Sequence, residues 1–330
     1  MRITGVLNRN RRLDGTAFDP ATPFGPPHGR YRTVHYGVMV PGLQEPLRFM
    51  DLIAVIGRPR IPIFRAEHLV ATTDADAVSL LTATGAPGTA VLAGYRAGAN
   101  CAFAEDGSDL RFGADVTIEG RYPNYRVRRT HPSASFDLRM TATRTVTHFA
   151  RLAAGLYDHW SLLCRCDGEF VVGGERLPVS GLGNLEYARG AAIALPFRLF
   201  TYHVVNVDDR VQVLFGQVLG PMGARLQHEV YVRAVDAPSR VVRRGVEFSV
   251  VRYEDEPHHT PDGRSMRLPA EFSWAAANDD GTDLVRIEGR ANGDWAYGVA
   301  AGFAGSYAYT GTFRGGPIHG TGYLEYIDGR

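Results

Sequence analysis

The sequence predicts an all-β protein built from two related antiparallel barrel or sandwich domains with few short helices. Three observations carry this. First, the stretch Pro178-Val179-Ser180-Gly181-Leu182-Gly183-Asn184-Leu185-Glu186-Tyr187-Ala188-Arg189-Gly190 returns at the end of the chain as Pro317-Ile318-His319-Gly320-Thr321-Gly322-Tyr323-Leu324-Glu325-Tyr326-Ile327-Asp328-Gly329, with seven of thirteen positions identical and no gap. Second, apolar runs of strand length recur through both halves, separated by turn signals rather than helices. Third, 330 residues are more than a single core comfortably holds and suit two domains of about 150. The expected domains are 1–190 and 191–330, each containing one copy of the repeat.

Residues 1–33 are rich in Arg, Pro and Gly, with Pro20, Pro23, Pro26 and Pro27 close together, and read as an irregular arm over the first domain. Val34 to Val40 is a short apolar run stopped by Pro41-Gly42 and predicts a strand. Leu47, Met50, Ile53 and Ile56 recur at helical spacing before Gly57, which predicts one inserted helix near 44–56. From Ile61 the pattern is β, over 61–64, 68–73, 78–84, 91–96, 111–120, 121–128 and 135–145. Thr147 to Ala154 fits a short helix or a continued strand equally. The second half predicts strands at 199–207, 211–219, 227–235, 246–253, 270–276, 283–289, 297–303, 306–313 and 320–327. The connector from Arg189 to Pro196 is short and apolar, unlike a flexible linker, so the domains are expected to pack together. Trp160 before the first repeat and Trp295 before the second form a fainter echo, suggesting a Trp strand, a hairpin and a closing strand in each half.

Composition excludes several classes. Basic and acidic residues nearly cancel, to a net charge of +1, so no nucleic-acid footprint is present. All 36 basic residues are Arg, and a chain without Lys cannot form a Schiff base or hold pyridoxal phosphate through one. Three cysteines, Cys101, Cys164 and Cys166, do not make a disulfide framework, and the latter two read as small buried hydrophobes. No signal peptide and no apolar run of membrane-spanning length is visible, so a cytoplasmic protein is expected. There is no phosphate loop, dinucleotide turn or nucleophile elbow, and no cofactor is expected. Glu254-Asp255-Glu256-Pro257-His258-His259 offers many ligand types but reads as a solvated hairpin, so no metal is expected from it.

Glu186 and Glu325 recur with the repeat, and a residue that recurs wherever its strand recurs reads as architectural. Residues present in one half alone are the better candidates. On a strand through 157–166, Asp158, Trp160, Leu162, Cys164 and Cys166 share an apolar face expected to point into a barrel. A carboxyl there loses hydration, which would raise its pKa and make Asp158 a general acid, whereas an arginine partner would reverse the sign. A strand beginning only at Trp160 would instead leave Asp158 and His159 in a solvated loop. His35-Tyr36 and Tyr202-His203 each set an imidazole beside a hydroxyl, and His228 shares a face with Val230 and Val232. Such groups can equally satisfy hydrogen bonds in a core. The catalytic candidates are therefore Asp158, Tyr202 and His203. The substrate-binding candidates are His35, Tyr36, His159, Trp160, His228 and Trp274.

The Gly-x-Gly-x-x-Glu-Tyr strand late in each half, Gly320 to Tyr326 above all, resembles the tandem lipocalin-like group of AttH-type proteins and carotenoid 1,2-hydratase. Tyr202 to Asp208 and Thr260 to Met266 are similar to an uncharacterised branch of it. The resemblance covers most of 150–330. It implies two lipocalin-like barrels that hold apolar molecules. In some members it implies water addition to an isolated double bond, or ring closure, without a cofactor. No catalytic residue is carried over. The expectation is a cofactor-independent enzyme that binds a largely apolar, isoprenoid- or polyketide-like molecule in a barrel or inter-domain pocket. It would catalyse hydration, isomerisation or cyclisation. A non-catalytic carrier of such ligands is the alternative, and a scaffold with filled barrels a third.

Overall fold

In the computed structural model, which describes residues 9–330, strands dominate both halves of the chain. The first eight residues of the expected arm lie outside the described residues. The first sheet holds β1 (Tyr31–Pro41), β2 (Phe49–Ile56), β3 (Ala77–Thr84), β4 (Val91–Arg96), β5 (Cys101–Phe103), β6 (Asp109–Phe112), β7 (Val116–Arg121), β8 (Asn124–Arg129), β9 (Ser135–Arg151), β10 (Tyr157–Val172) and β11 (Glu175–Ala191). They lie in the order β4-β3-β2-β1-β11-β10-β9-β8-β7-β6-β5 and curl into a nearly closed barrel. The second sheet holds β12 (Leu199–Asn206), β13 (Val211–Leu219), β14 (Arg225–Ala234), β15 (Ala237–Val242) and β16 (Val246–Tyr253). A two-stranded ribbon, β17 (His258–His259) with β18 (Ser265–Met266), interrupts it. It resumes with β19 (Pro269–Ala277), β20 (Asp283–Ala291), β21 (Ala296–Val299), β22 (Gly302–Phe313) and β23 (Gly316–Asp328). Its order is β15-β14-β13-β12-β23-β22-β20-β19-β16, with β21 beside β22, and it forms a half-barrel.

The two repeat copies occupy the same topological place. β11 is bonded between β1 and β10, and β23 between β12 and β22. The registers agree too: Glu186 faces Gly37 across β1, and Glu325 faces Tyr202 across β12. The Trp echo does not hold. Trp160 pairs with Tyr187, whereas the residue paired with Tyr326 is Phe303, and Trp295 precedes β21.

The inserted helix expected near 44–56 is instead a turn followed by β2. Every residue of β2 except Val55 is buried and all but Asp51 are apolar, so apolar residues fall on both faces and a helical subset can be picked from them. The strands expected at 61–64 and 68–73 are single 3-10 turns at Pro62–Phe64 and Glu67–Leu69; Pro62 has no N–H for a ladder. The run 111–120 breaks at Gly113, whose φ of +60° turns the chain between β6 and β7. The undecided segment after 147 continues β9 to Arg151.

One apolar core fills the first barrel, around Tyr36, Leu52, Phe112, Trp160 and Leu185. The other runs from the half-barrel across the junction, so that Met39, Phe49, Ile53 and Phe149 pack with Val204, Tyr231 and Tyr323. Each such side chain contributes about 1.5–3 kcal/mol when taken from water. Polar ties cross the same junction: the Thr145 hydroxyl donates to the Ala234 carbonyl at 2.7 Å, and the Asn206 amide to the Leu182 carbonyl at 3.0 Å. Among the described residues no helix is long and apolar enough to cross a membrane.

Candidate active site

A cavity of about 220 Å³ opens between the two sheets. Its wall is mostly apolar, with Ile53 and Val55 from β2 and Phe149 from β9. The connector supplies Ile193, Leu195 and Phe197, which alternate with exposed Ala192, Ala194 and Pro196. The apolar connector thus forms one wall of the cavity rather than a simple tether.

Polar groups gather where β1, β11 and β10 lie side by side. His35 and His159 both pair with Ala188, one from each side, so the small Ala188 stands between two imidazoles. Their ring centroids are 5.9 Å apart, edge to face. Glu186, two residues before Ala188, is on the same face. Opposite it, a Cβ on Gly37 would stand 3.0 Å from His35 Nε2 and 3.2 Å from Glu186 Cβ, so glycine is what permits this close approach. From the second sheet the Tyr202 hydroxyl donates to Glu186 Oε1 at 2.8 Å. The Asn184 amide donates to the Tyr202 oxygen at 3.0 Å, and its own oxygen accepts from the fully buried Arg233 at 2.5 Å. His159 Nε2 lies 3.6 Å from Glu186 Oε2, and the Tyr157 hydroxyl lies 3.4 Å from His159 Nδ1.

The electrostatics differ sharply between the two repeat carboxylates. Burial pushes the Glu186 carboxyl up, but His159, His35 and the Tyr202 hydroxyl outweigh it and hold it below the usual range. Burial, reinforced by the neighbouring His159 charge, lowers His35 to about 4. Glu325, which also lines the cavity, is raised well above its ordinary value by burial, with Asp51 and Glu186 adding to it. Asp51 is fully buried and likewise raised by burial, against which the Tyr323 hydroxyl acts; that hydroxyl donates to Glu325 Oε1 at 3.0 Å.

Of the residues singled out from sequence, the cavity gathers His35, His159 and Tyr202. Their chain neighbours point the other way, because successive strand residues face opposite sides. Tyr36 donates to the Phe24 carbonyl at 2.9 Å and Trp160 stacks near Phe18, Phe24 and Tyr187, all inside the first barrel. Asp158 is on that same inner side of β10, 3.6 Å from Arg189, and does not line the cavity. Arg189 is thus the arginine neighbour that the sequence left open for Asp158. His203 is sealed among Phe248, Phe272, Trp274 and Tyr307, with Nε2 2.9 Å from the Thr201 hydroxyl, and burial lowers it to about 3. His228 and Trp274 sit together in the half-barrel, ring centroids 5.7 Å apart. The apolar stripes do point into the barrels, but the cavity is on the other side of the strands.

Sequence reasoning set aside Glu186 and Glu325, and it missed Gln217, Gln227 and Tyr157 in the cavity wall. The structure alone supplies the signal: Leu182 to Ala188 is buried without alternation, so its polar members meet a second layer of structure.

The fold matches solved structures over nearly the whole chain. An AttH-type protein from Nitrosomonas europaea aligns with a TM-score of 0.66 at 16% identity, covering 96% of this chain and 98% of that one. Kievitone hydratase from Nectria haematococca aligns at 0.61 and 13% identity, covering 98% and 97%. CghA with Sch210972 aligns at 0.53 and 8%, covering 96% and 94%. At these identities the likeness is one of fold, and it bears out the tandem lipocalin-like resemblance. No functionally curated protein matches the sequence. The profile of a family of unknown function, DUF6670, matches residues 53–330, and the chain belongs to that family.

Proposed function

We propose that the protein is an enzyme that holds a largely apolar small molecule between its two sheets and assists hydration, isomerisation or cyclisation by proton transfer and hydrogen bonding. One observation carries this reading: an apolar cavity whose charged side chains, apart from Arg60 of its lining, are two imidazoles and two carboxyls. A filled scaffold needs no such cavity, and a carrier needs no such cluster. Glu325 is the proton donor in this reading. It is buried at the cavity wall, and burial beside Asp51 keeps it neutral, so it can deliver a proton to an alkene or carbonyl. The wall formed by His35, His159 and Glu186 receives the proton or orients water, and Tyr202 supplies a hydroxyl between the two sides. The apolar surroundings exclude bulk water and strengthen each of these contacts. A fold shared with a protein named a hydratase fits this reading.

The direct test is mass spectrometry of small molecules that co-purify with the protein, paired with fluorescence titration by the apolar dye N-phenyl-1-naphthylamine. A bound apolar molecule converted by the wild type and left unchanged by Glu325→Gln is the expected result. Retention of the molecule with no conversion by either protein would favour the carrier, and absence of dye binding would sink both readings.

A further inference from the structure

We propose that His35, His159 and Glu186 form a binding site for a divalent first-row metal ion whose open coordination positions face the cavity. The inference rests on the cavity being the reaction site, and extends that reading by giving it an inorganic ligand. One donor atom from each of the three residues lies within 4.8 Å of the other two. Tetrahedral coordination at about 2.0–2.2 Å sets donors about 3.4 Å apart, so shifts of about an ångström close the site.

The outer contacts argue for coordination more than proximity does. A metal-binding imidazole characteristically has its second nitrogen engaged by a carbonyl, carboxylate or other polar group, which fixes the ring. The Ala54 backbone is a polar neighbour of the His35 ring. His159 Nδ1 faces the Tyr157 hydroxyl at 3.4 Å, while His159 Nε2 is buried and has no hydrogen-bond partner. Glu186 Oε1 accepts from Tyr202 and Asn184, which leaves Oε2 turned toward His159. His159 and Glu186 therefore each have one polar atom held from outside and another turned toward the other, and His35 brings a ring nitrogen within 4.8 Å of both. Packing two imidazoles against one carboxylate also loses hydration, which a shared cation offsets.

The donor set gives the metal class. Two imidazoles and one carboxylate with room beside them suit zinc or ferrous iron in an open site, whereas calcium and magnesium prefer all-oxygen cages. The cavity supplies the room.

The test uses full-length protein treated with chelator and desalted. Zinc(II) is titrated by calorimetry and cobalt(II) by visible absorption. The expected result is one ion per chain at micromolar affinity or tighter, with cobalt bands of low coordination number. His35→Ala, His159→Ala and Glu186→Gln should each weaken zinc at least about 100-fold, and Tyr202→Phe, which removes only an outer contact, about 10-fold. Glu186→Asp, which keeps the charge and shortens the reach, guards against a folding artefact. With the fold intact by circular dichroism, it should bind zinc more weakly than wild type and more tightly than Glu186→Gln. No stoichiometric zinc binding, or binding unchanged by His159→Ala and Glu186→Gln, would overturn the proposal. Dye binding to the metal-free protein separates the two readings: dye without zinc rejects only the metal site, and zinc without dye supports the metal site and counts against the apolar-substrate reading.

Discussion

Glu186 and Glu325 occupy the same place in two copies of one strand, yet the molecule treats them oppositely. Glu186 is met by donors: the Tyr202 hydroxyl, the Asn184 amide and two imidazoles. Glu325 is met by a carboxyl, Asp51, and by the hydroxyl of Tyr323. The residue two before each Glu, on the same face, is Asn184 in one copy and Tyr323 in the other. The residue across the first strand is Gly37 in one copy and Tyr202 in the other, and Tyr202 crosses the junction to serve Glu186. A duplicated carboxyl is thus not a duplicated environment. Glu186 is held low chiefly by His159, His35 and Tyr202, and Glu325 is held high by burial beside Asp51.

The largest effect should come from the glycines of the two copies. A Cβ at Gly322 would stand 2.4 Å from the Tyr307 ring, and one at Gly183 would stand 2.9 Å from the Met39 carbonyl. Valine at either should cost about 3 kcal/mol through overpacking, read from urea unfolding. Gly181 has nothing within 4 Å of a built Cβ, but its φ of +158° is one that L side chains rarely adopt, so valine there should cost about 1–3 kcal/mol through backbone strain alone. No loss at Gly181 would show that space, rather than strand conformation, governs these sites.

A smaller effect should separate the carboxyls themselves. Glu186→Gln in metal-free protein removes a charged acceptor from Tyr202 and should destabilise by about 1–3 kcal/mol. Glu325→Gln replaces a neutral carboxyl by a neutral amide of similar shape and should change stability by under about 1 kcal/mol. Reversal of this ranking would break the comparison.

The finest test is pH. Asp51 and Glu325 are raised in the folded state, so their stabilising share is present below the ordinary carboxylate range near pH 4. It is lost as pH rises through their folded values. Asp51→Asn removes one of the two groups and relieves Glu325, so the melting temperature should fall less between pH 5 and pH 8 than in wild type. Identical slopes would mean that the two carboxyls do not titrate against folding.

Much of the fold was legible because the relevant physics is local. The runs at 91–96, 211–219 and 246–253 coincide with β4, β13 and β16, each a run of strand length bounded by turn residues. β2 was misread because burial on both faces erases the two-residue period. The pairs His35-Tyr36, Asp158-His159 and Tyr202-His203 drew notice correctly as groups, yet one member of each faces a barrel and the other the cavity.

By itself the sequence determined the all-β class, the duplication and the matching place of its two copies, since these follow from periodicity and from likeness between segments of one chain. Only the tertiary structure decided that the main cavity lies outside the barrels, that the apolar connector walls it, and that Glu186 and Glu325 converge there. The reason is physical: a strand's period says that two faces exist, but which face meets water, a core or another sheet depends on what packs against it. The charge carried by a buried carboxyl depends in turn on groups such as Asp51 and Arg233, which are far from both carboxyls in sequence and are brought near only when the two sheets meet.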